Sequence, residues 1–269
     1  MVAAGDSAVR PPIVVLGIGG SGTRAIAEIL TVAGVFLGSR LNAAGDSQVI
    51  GRFIRRWAGR YLEDRGWVQA LARDADADLP ADADPALAGE LRAALEAHRD
   101  GIPSPGASWG WKNPRTVYLL PAVHAVAPGV RVVQLVRDGR DVAYSRNQNQ
   151  LEAYGELIVG DLGDRPAPVR SAALWSRVNL AVLRCGKRLA PDRHLVVRYE
   201  DVCRTPAAEA KRLLEGLGLR ADAGIVERAA ALVSASPSAG RWRKHDPGEV
   251  DAVEKVAAEG LRRFGYLDG

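Results

Sequence analysis

The chain is poor in cysteine and histidine and has no long apolar run. Its two cysteines, Cys185 and Cys203, show no metal-ligand spacing. They cannot build a disulfide framework, so buried free thiols are expected. No metal-ligand spacing appears elsewhere either, and no bound metal is expected. The first apolar run, Ile13–Ile18, is far too short to cross a bilayer, and residues 1–12 lack the apolar core of a signal peptide. The expectation is a cytoplasmic protein with no membrane span, a flexible leader over 1–12 and one domain over 13–269. Basic residues do not interleave with aromatics in a block, which argues against a nucleic-acid partner. The densest basic stretch, Arg52 to Trp57, suits an amphipathic helix. A formal net charge of +4, from 36 basic and 32 acidic residues, is mild and leaves room for an anionic ligand.

What the sequence does contain is a concentrated N-terminal signal. Ile13-Val14-Val15-Leu16-Gly17-Ile18-Gly19-Gly20-Ser21-Gly22-Thr23-Arg24 runs from a β-branched strand through glycines and hydroxyls into a helix. Ile26, Ile29 and Leu30 then recur at helical spacing. A strand, a tight loop and a helix start aim unpaired N–H groups and a helix dipole at one point, which suits a phosphate-like anion. Gly17-x-Gly19-x-x-Gly22 fits a dinucleotide fingerprint, but no second strand ends in an acid about 20 residues on. Gly17 and Gly22 also have Walker A spacing, yet Thr23-Arg24 stands where Lys and a hydroxyl residue are required, which disfavours NTP chemistry. A third reading is a loop for a single 5′-phosphate-like group, held by Gly20, Ser21, Gly22, Thr23 and Arg24. A plain glycine-rich turn is the fourth.

Further along, Gln48 to about Arg65 and Pro85–Arg99 have amphipathic helical periodicity, separated by an Asp/Ala linker over 74–84. Trp109–Lys112 reads as a strand end and Asn113-Pro114 as a turn, with a helix over Thr116–Val126. Val130–Val136 and His194–Tyr199 read as buried strands. Helices are predicted from Asp138 to about Asn149 and over 172–189, 206–217, 225–233 and 250–264. Residues 151–168 read as a candidate mobile loop, and 234–247 as a polar loop carrying Gly240, Arg241 and Trp242. Strands alternating with helices give an α/β class with a central parallel sheet flanked by helices. In such sheets ligands sit at the carboxyl ends of the strands. Arg24, Lys112 and Arg137 should therefore surround one cavity.

A second anchor lies in Val132-Val133-Gln134-Leu135-Val136-Arg137-Asp138-Gly139-Arg140-Asp141-Val142-Ala143-Tyr144-Ser145. A strand-end Arg and a Ser on the following helical turns can grip one anion from two sides. Together with the first loop, this resembles the sulfotransferase family that uses 3′-phosphoadenosine 5′-phosphosulfate (PAPS), which implies its P-loop-like α/β fold. The resemblance implies that the first loop holds the 5′-phosphosulfate. It also implies that Arg137, Asp141 and Ser145, which match an Arg-x-x-x-Asp-x-x-x-Ser element, hold the 3′-phosphate. Lys112-Asn113-Pro114-Arg115-Thr116-Val117-Tyr118-Leu119-Leu120-Pro121 is similar to the family's Lys-led segment. Tyr199-Glu200-Asp201 is similar to a strand element whose Tyr lies near the adenine. Gly240-Arg241-Trp242-Arg243 is similar to a C-terminal loop that closes over the nucleotide. Five elements in family order span most of the chain from 13 to 245.

The chain departs from that pattern at two places. Many cytosolic relatives have a loop Lys where Gly20 stands, so the charge must come from Arg24 or Lys112. The same relatives have a catalytic His where Pro114 stands. Relatives acting on sugars or protein tyrosine use a Glu from the loop after the first helix, and Asp46 is the best positional substitute. Asp46 could equally cap the helix starting near Ser47. His245 is a more distant candidate base, and His124 reads as structural. The resemblance implies in-line transfer of a sulfuryl group to a hydroxyl or amine of a small-molecule, natural-product or carbohydrate acceptor. Adenosine 3′,5′-bisphosphate (PAP) is then the product, and Lys112, Arg24 and the loop amides stabilise the departing charge. A P-loop-type kinase or NTPase, or a catalytically silent nucleotide-binding module, is the alternative. Helix 48–65, Trp67, Trp109, Trp111 and loop 146–168 are candidate acceptor walls. Their tryptophans would suit a flat or apolar acceptor face, or else belong to the core.

Overall fold

The computed structural model describes residues 9–80, 83–104, 106–234 and 238–267. Residues 1–8 of the expected leader, and residues 235–237 of the polar loop, lie outside the described residues. In chain order, β1 (Ile13–Gly17) is followed by α1 (Thr23–Val32), α2 (Gln48–Arg65), α3 (Trp67–Arg73) and α4 (Pro85–Arg99). Next come β2 (Gly110–Lys112), a 3-10 turn over Pro114–Leu119, α5 (Leu120–Val126), β3 (Arg131–Val136), α6 (Gly139–Ala143) and α7 (Asn149–Val159). The chain continues through α8 (Ala167–Leu189), β4 (His194–Arg198), α9 (Tyr199–Arg204), α10 (Pro206–Gly216), α11 (Ala223–Leu232) and α12 (Pro247–Arg263).

The four strands form one parallel sheet in the order β2-β1-β3-β4. Every residue of β1 is buried because helices cover both faces. Side chains alternate across the sheet. Val14 and Leu16 join Trp111, Val132 and Val136 in a core that includes residues of α2, α5, α8 and α12. Ile13 and Val15 join Val133, Leu135 and Val197 in a second core with residues of α1, α10 and α11. Each fully buried aliphatic side chain of this kind contributes about 1.5–3 kcal/mol.

Local chemistry sets the helix boundaries near the strand ends. Ser47, with its Oγ accepting the Ile50 N–H at 3.2 Å, caps α2, so the reading of Asp46 as the cap is overturned. Asp84 accepts from Ala86 and Leu87 to start α4, with Pro85 in the first turn, as its sequence implied. Asp138 caps α6, but that helix stops at Ala143 instead of reaching Asn149. The expected helix 116–126 opens as a 3-10 turn whose start is capped by the Asn113 side chain.

The mobile loop expected over 151–168 is instead mostly ordered secondary structure. Helix α7 occupies Asn149–Val159, a 3-10 turn follows over Gly160–Leu162, and α8 begins at Ala167. Its residues Gln150, Tyr154 and Ile158 are buried at four-residue steps. Gly155, Gly160, Gly163, Pro166 and Pro168 obscure that periodicity in the sequence. The tryptophans proposed as acceptor walls are core residues: Trp67 and Trp111 are fully buried and Trp109 nearly so. Their indole N–H groups are satisfied within the protein by Tyr118 O, Thr116 Oγ1 and Arg10 O.

Candidate active site

Parallel register delivers the carboxyl ends of all four strands to one edge: Val15 lies opposite Lys112, Gly17 opposite Leu135, and Val136 opposite Arg198. The loops leaving those ends therefore meet, as the sequence implied. After β1 the chain turns through Gly20 and Gly22, at φ 88° and 86°, a region that L side chains rarely adopt. A Cβ on Gly22 would collide with the Tyr199 ring, and one on Gly20 would lie 2.9 Å from Ser145 Oγ. The first loop, the Arg137–Ser145 segment and Tyr199 are thus packed together.

Thr23 is the first residue of α1; the Ala25 N–H donates back to Gly22 O at 3.1 Å, and the Thr23 and Arg24 amides precede the first helical turn. Ser21 is almost fully buried, and its Oγ has no hydrogen-bond partner among the described residues. A buried, unsatisfied hydroxyl beside the first amides of a helix is suited to accept an anion. The glycine cradle and these donors fit a 5′-phosphate-like group.

Arg137 leaves the end of β3 nearly buried. Its guanidinium donates to Gly20 O at 3.3 Å, Asp141 Oδ2 at 3.1 Å and Ser238 O at 2.7 Å, and stacks 5.0 Å from the Tyr199 ring centroid. Asp141, rather than Glu200 or Asp201, is its acidic partner. The same carboxylate accepts from the Gly240 N–H at 2.8 Å and the Trp242 N–H at 3.4 Å. It ties the strap carrying Gly240, Arg241 and Trp242 to the strand end, a role that motif spacing alone did not show. Burial, and then the neighbouring Arg137 charge, lower the pKa of Arg241. Two cations held against each other in this way favour an anion between them. Trp242 is stacked by Arg140 at 4.0 Å and Arg243 at 4.5 Å. Burial opposes the Arg140 charge, but hydrogen bonds to Asp138 and Glu254 outweigh it and raise its pKa.

At the end of β2, Lys112 is buried and pairs with Asp46 at 2.6 Å. Its Nζ also donates to Ala44 O at 2.9 Å. Asn42 Nδ2 donates to the other Asp46 oxygen at 3.2 Å, while Asn42 Oδ1 accepts the Ala44 and Asp46 N–H groups. The 42–47 loop is therefore a built turn that presents one carboxylate to one ammonium. Arg24 is exposed and reaches Ala43 O in this loop at 3.4 Å, so both cations converge on it.

Beside this pair opens a cleft of about 490 Å³ between α2, the Asn113–Arg115 turn and residues 147–150. It meets the glycine turn at Gly19, and Asp46 lines it. Amides are the commonest side chains in its wall: Asn42, Gln48, Asn113, Asn147, Asn149 and Gln150. Helix 48–65 and the chain after Arg146 do form walls, whereas Trp67, Trp109 and Trp111 do not. An apolar face for the acceptor is absent from this lining, and the amide residues were not anticipated from the sequence. His245 stacks on Tyr144, with centroids 3.6 Å apart, and is not among the cleft residues. His124 is buried in α5, where burial and then Arg193 lower its pKa to about 4. Among the described residues no group of three or more His, Cys, Asp or Glu could hold a metal, and no helix is long and apolar enough to cross a membrane.

The parallel sheet, its glycine turn and the strand-end arginine define a P-loop-like α/β protein. The Sulfotransferase family profile matches residues 11–223, and the chain belongs to that family. Solved sulfotransferases share the fold. STF9 from Mycobacterium avium superposes with a TM-score of 0.58 at 15% identity, over 95% of this chain and 77% of that one. STF1 from Mycobacterium tuberculosis H37Rv gives 0.53 at 16% identity, over 94% and 78%. A sulfotransferase from Alicyclobacillus acidocaldarius gives 0.53 at 13% identity, over 95% and 94%. No curated protein sequence matches the chain. The protein is a sulfotransferase.

Proposed function

We propose that the enzyme transfers a sulfuryl group from PAPS to a hydroxyl or amine of a small-molecule or carbohydrate acceptor, with Asp46 as general base. The observation that carries this reading is the junction of two sites. A glycine turn facing Ser145 and Arg137 meets, at Gly19, a polar cleft lined by Asp46, the partner of Lys112. Gly20, Ser21, Gly22, Thr23 and Arg24 would hold the 5′ end of the donor. Arg137, Ser145 and Arg241 would hold the 3′-phosphate, with Tyr199 and Trp242 beside the nucleoside. The bound donor supplies the sulfuryl group: its bridging O–S bond breaks as the acceptor O–S or N–S bond forms, and that electron pair leaves with PAP.

The chain's own residues have three tasks. The α1 amides and Lys112 offset negative charge where it grows, at no reorganisation cost because they are already fixed. An ammonium has three donors, and Lys112 donates one to Ala44 O while pairing with Asp46 by charge. Asp46 accepts the proton from the attacking hydroxyl or amine, oriented by Asn42 and Lys112.

Calorimetry tests the nucleotide assignment. PAP should bind much more tightly than adenosine 5′-monophosphate or ATP with Mg²⁺. Ser145→Ala and Arg137→Ala should shrink the preference for a 3′-phosphate, by about tenfold or more for the charged contact. Equal binding of ATP with Mg²⁺, or an unchanged preference in Arg137→Ala, refutes the reading.

A further inference from the structure

The cleft carries more positive charge than the Lys112–Asp46 pair balances. Arg52 and Arg55 from α2, and Arg115 from the turn after β2, all line it. Asp46 is the only carboxylate among the lining residues, and Lys112 already occupies it. Arg52, Arg55 and Arg115 form no ion pair with the described residues. The contrast within α2 is informative, because Arg56 pairs with Glu90 at 3.3 Å and Arg60 with Asp64 at 3.5 Å. Of the three arginines of α2 outside this lining, Arg56 and Arg60 have acidic partners and Arg65 has none among the described residues, whereas neither Arg52 nor Arg55 inside it has one.

Guanidinium groups that line one cleft without acidic partners give it a positive field, which a concave site focuses. The planar fork of Arg matches carboxylate, phosphate and sulfate oxygens. The six amide side chains around them can donate to and accept from hydroxyl groups. Ile54 and Pro114 are the only apolar side chains in the lining, too little surface to recognise a lipid-like acceptor by burial.

Building on the sulfuryl-transfer reading, we infer that the acceptor is an anion: a hydroxyl- or amine-bearing molecule whose separate carboxylate, phosphate or sulfate is gripped by Arg52, Arg55 and Arg115. Asp46, held to Lys112, is then the one negative group in a positive cleft. The acceptor's charged group is drawn towards the arginines, which leaves its reacting hydroxyl or amine free to face the carboxylate.

The test uses matched probes that differ only by charge, offered to the full chain at saturating PAP. The pairs are methyl β-glucuronide with methyl β-glucoside, glucose 6-phosphate with glucose, and 4-hydroxybenzoate with 4-hydroxybenzamide. Binding is read by ligand-observed NMR, and transfer with labelled PAPS. The charged member of at least one pair should bind about tenfold or more tightly than its neutral partner, as expected for a charge-assisted contact. That preference should fall at least several-fold in Arg52→Gln/Arg55→Gln, with PAP affinity unchanged. If no pair shows the preference, or the double variant keeps it, the inference fails while the nucleotide assignment stands. Weaker PAP binding in the double variant would give these arginines to the donor instead and also overturns it. Failure of the wild-type protein to bind PAP at all defeats the parent reading as well.

Discussion

Separating the structural from the chemical role of the Lys112–Asp46 pair is the sharpest test of this site. Lys112 is 3% exposed and Asp46 22%, with 2.6 Å between Nζ and Oδ1. Asp46→Asn leaves an ammonium buried with Ala44 O as its remaining partner among the described residues. Breaking one side of a buried pair costs about 3–5 kcal/mol. The partial exposure of Asp46 places the expected loss nearer 2–3 kcal/mol by the same reasoning. At about 2–4 °C per kcal/mol for a chain of this size class, Asp46→Asn should melt roughly 4–12 °C lower. Adding Lys112→Met removes the stranded charge and should recover most of that loss, giving a coupling energy of about 1–3 kcal/mol. Turnover should behave differently. Losing a general base costs about 10²–10⁴-fold, and the double variant should recover none of it. Urea or thermal unfolding of the four proteins, alongside PAPS turnover, completes the cycle. A coupling energy below about 0.5 kcal/mol refutes the ion pair's structural weight. An Asp46→Asn rate within tenfold of wild type, measured on folded protein, removes Asp46 as the base.

Two more outcomes follow from the geometry. Gly22→Ala should cost about 1–2 kcal/mol for its left-handed backbone, plus the overlap with the Tyr199 ring. In a Tyr199→Ala background only the backbone part should remain, and an identical cost in both backgrounds on urea unfolding would show that the ring is not against the glycine. His124 and His194 have pKa values lowered to about 4, by burial first and then by Arg193 and by His124 respectively. Both are neutral in the folded state at neutral pH, whereas the unfolded chain takes up protons below about 6.5. Stability should therefore fall as pH drops from about 6.5 to about 4, approaching 1.4 kcal/mol per pH unit for each histidine. His124→Gln should flatten that slope in urea titrations at pH 7 and pH 5, and an unchanged slope would refute its neutral burial.

Much of the fold was legible because periodicity and caps carried it. The β1 run, the Pro85 helix start and the strand-end Arg137 can all be read from local sequence. Helix α7 was obscured because its glycines and the following prolines signal a loop, while Tyr154 and Ile158 reveal their burial only against neighbouring elements. For the tryptophans both readings stood open in the sequence, because a large aromatic suits core and cleft equally, and packing decides for the core. Within the site, the glycine turn and the Arg137–Asp141–Ser145 spacing were visible. The Asp46 alternatives could not be separated until Ser47 was seen to cap α2. The amide wall was hidden, since Asn42, Asn113, Asn147 and Gln150 come together only through the tertiary fold.

The position of Trp242 has a practical consequence. Of the six tryptophans in the chain, Trp57, Trp67, Trp109, Trp111 and Trp175 are buried, whereas Trp242 is only half-buried in the strap between Arg140 and Arg243. Its fluorescence is therefore the one indole emission that a collisional quencher in solution can readily reach. Native protein carries a built-in optical reporter on the strap tied to Asp141, and no label is needed to follow changes there.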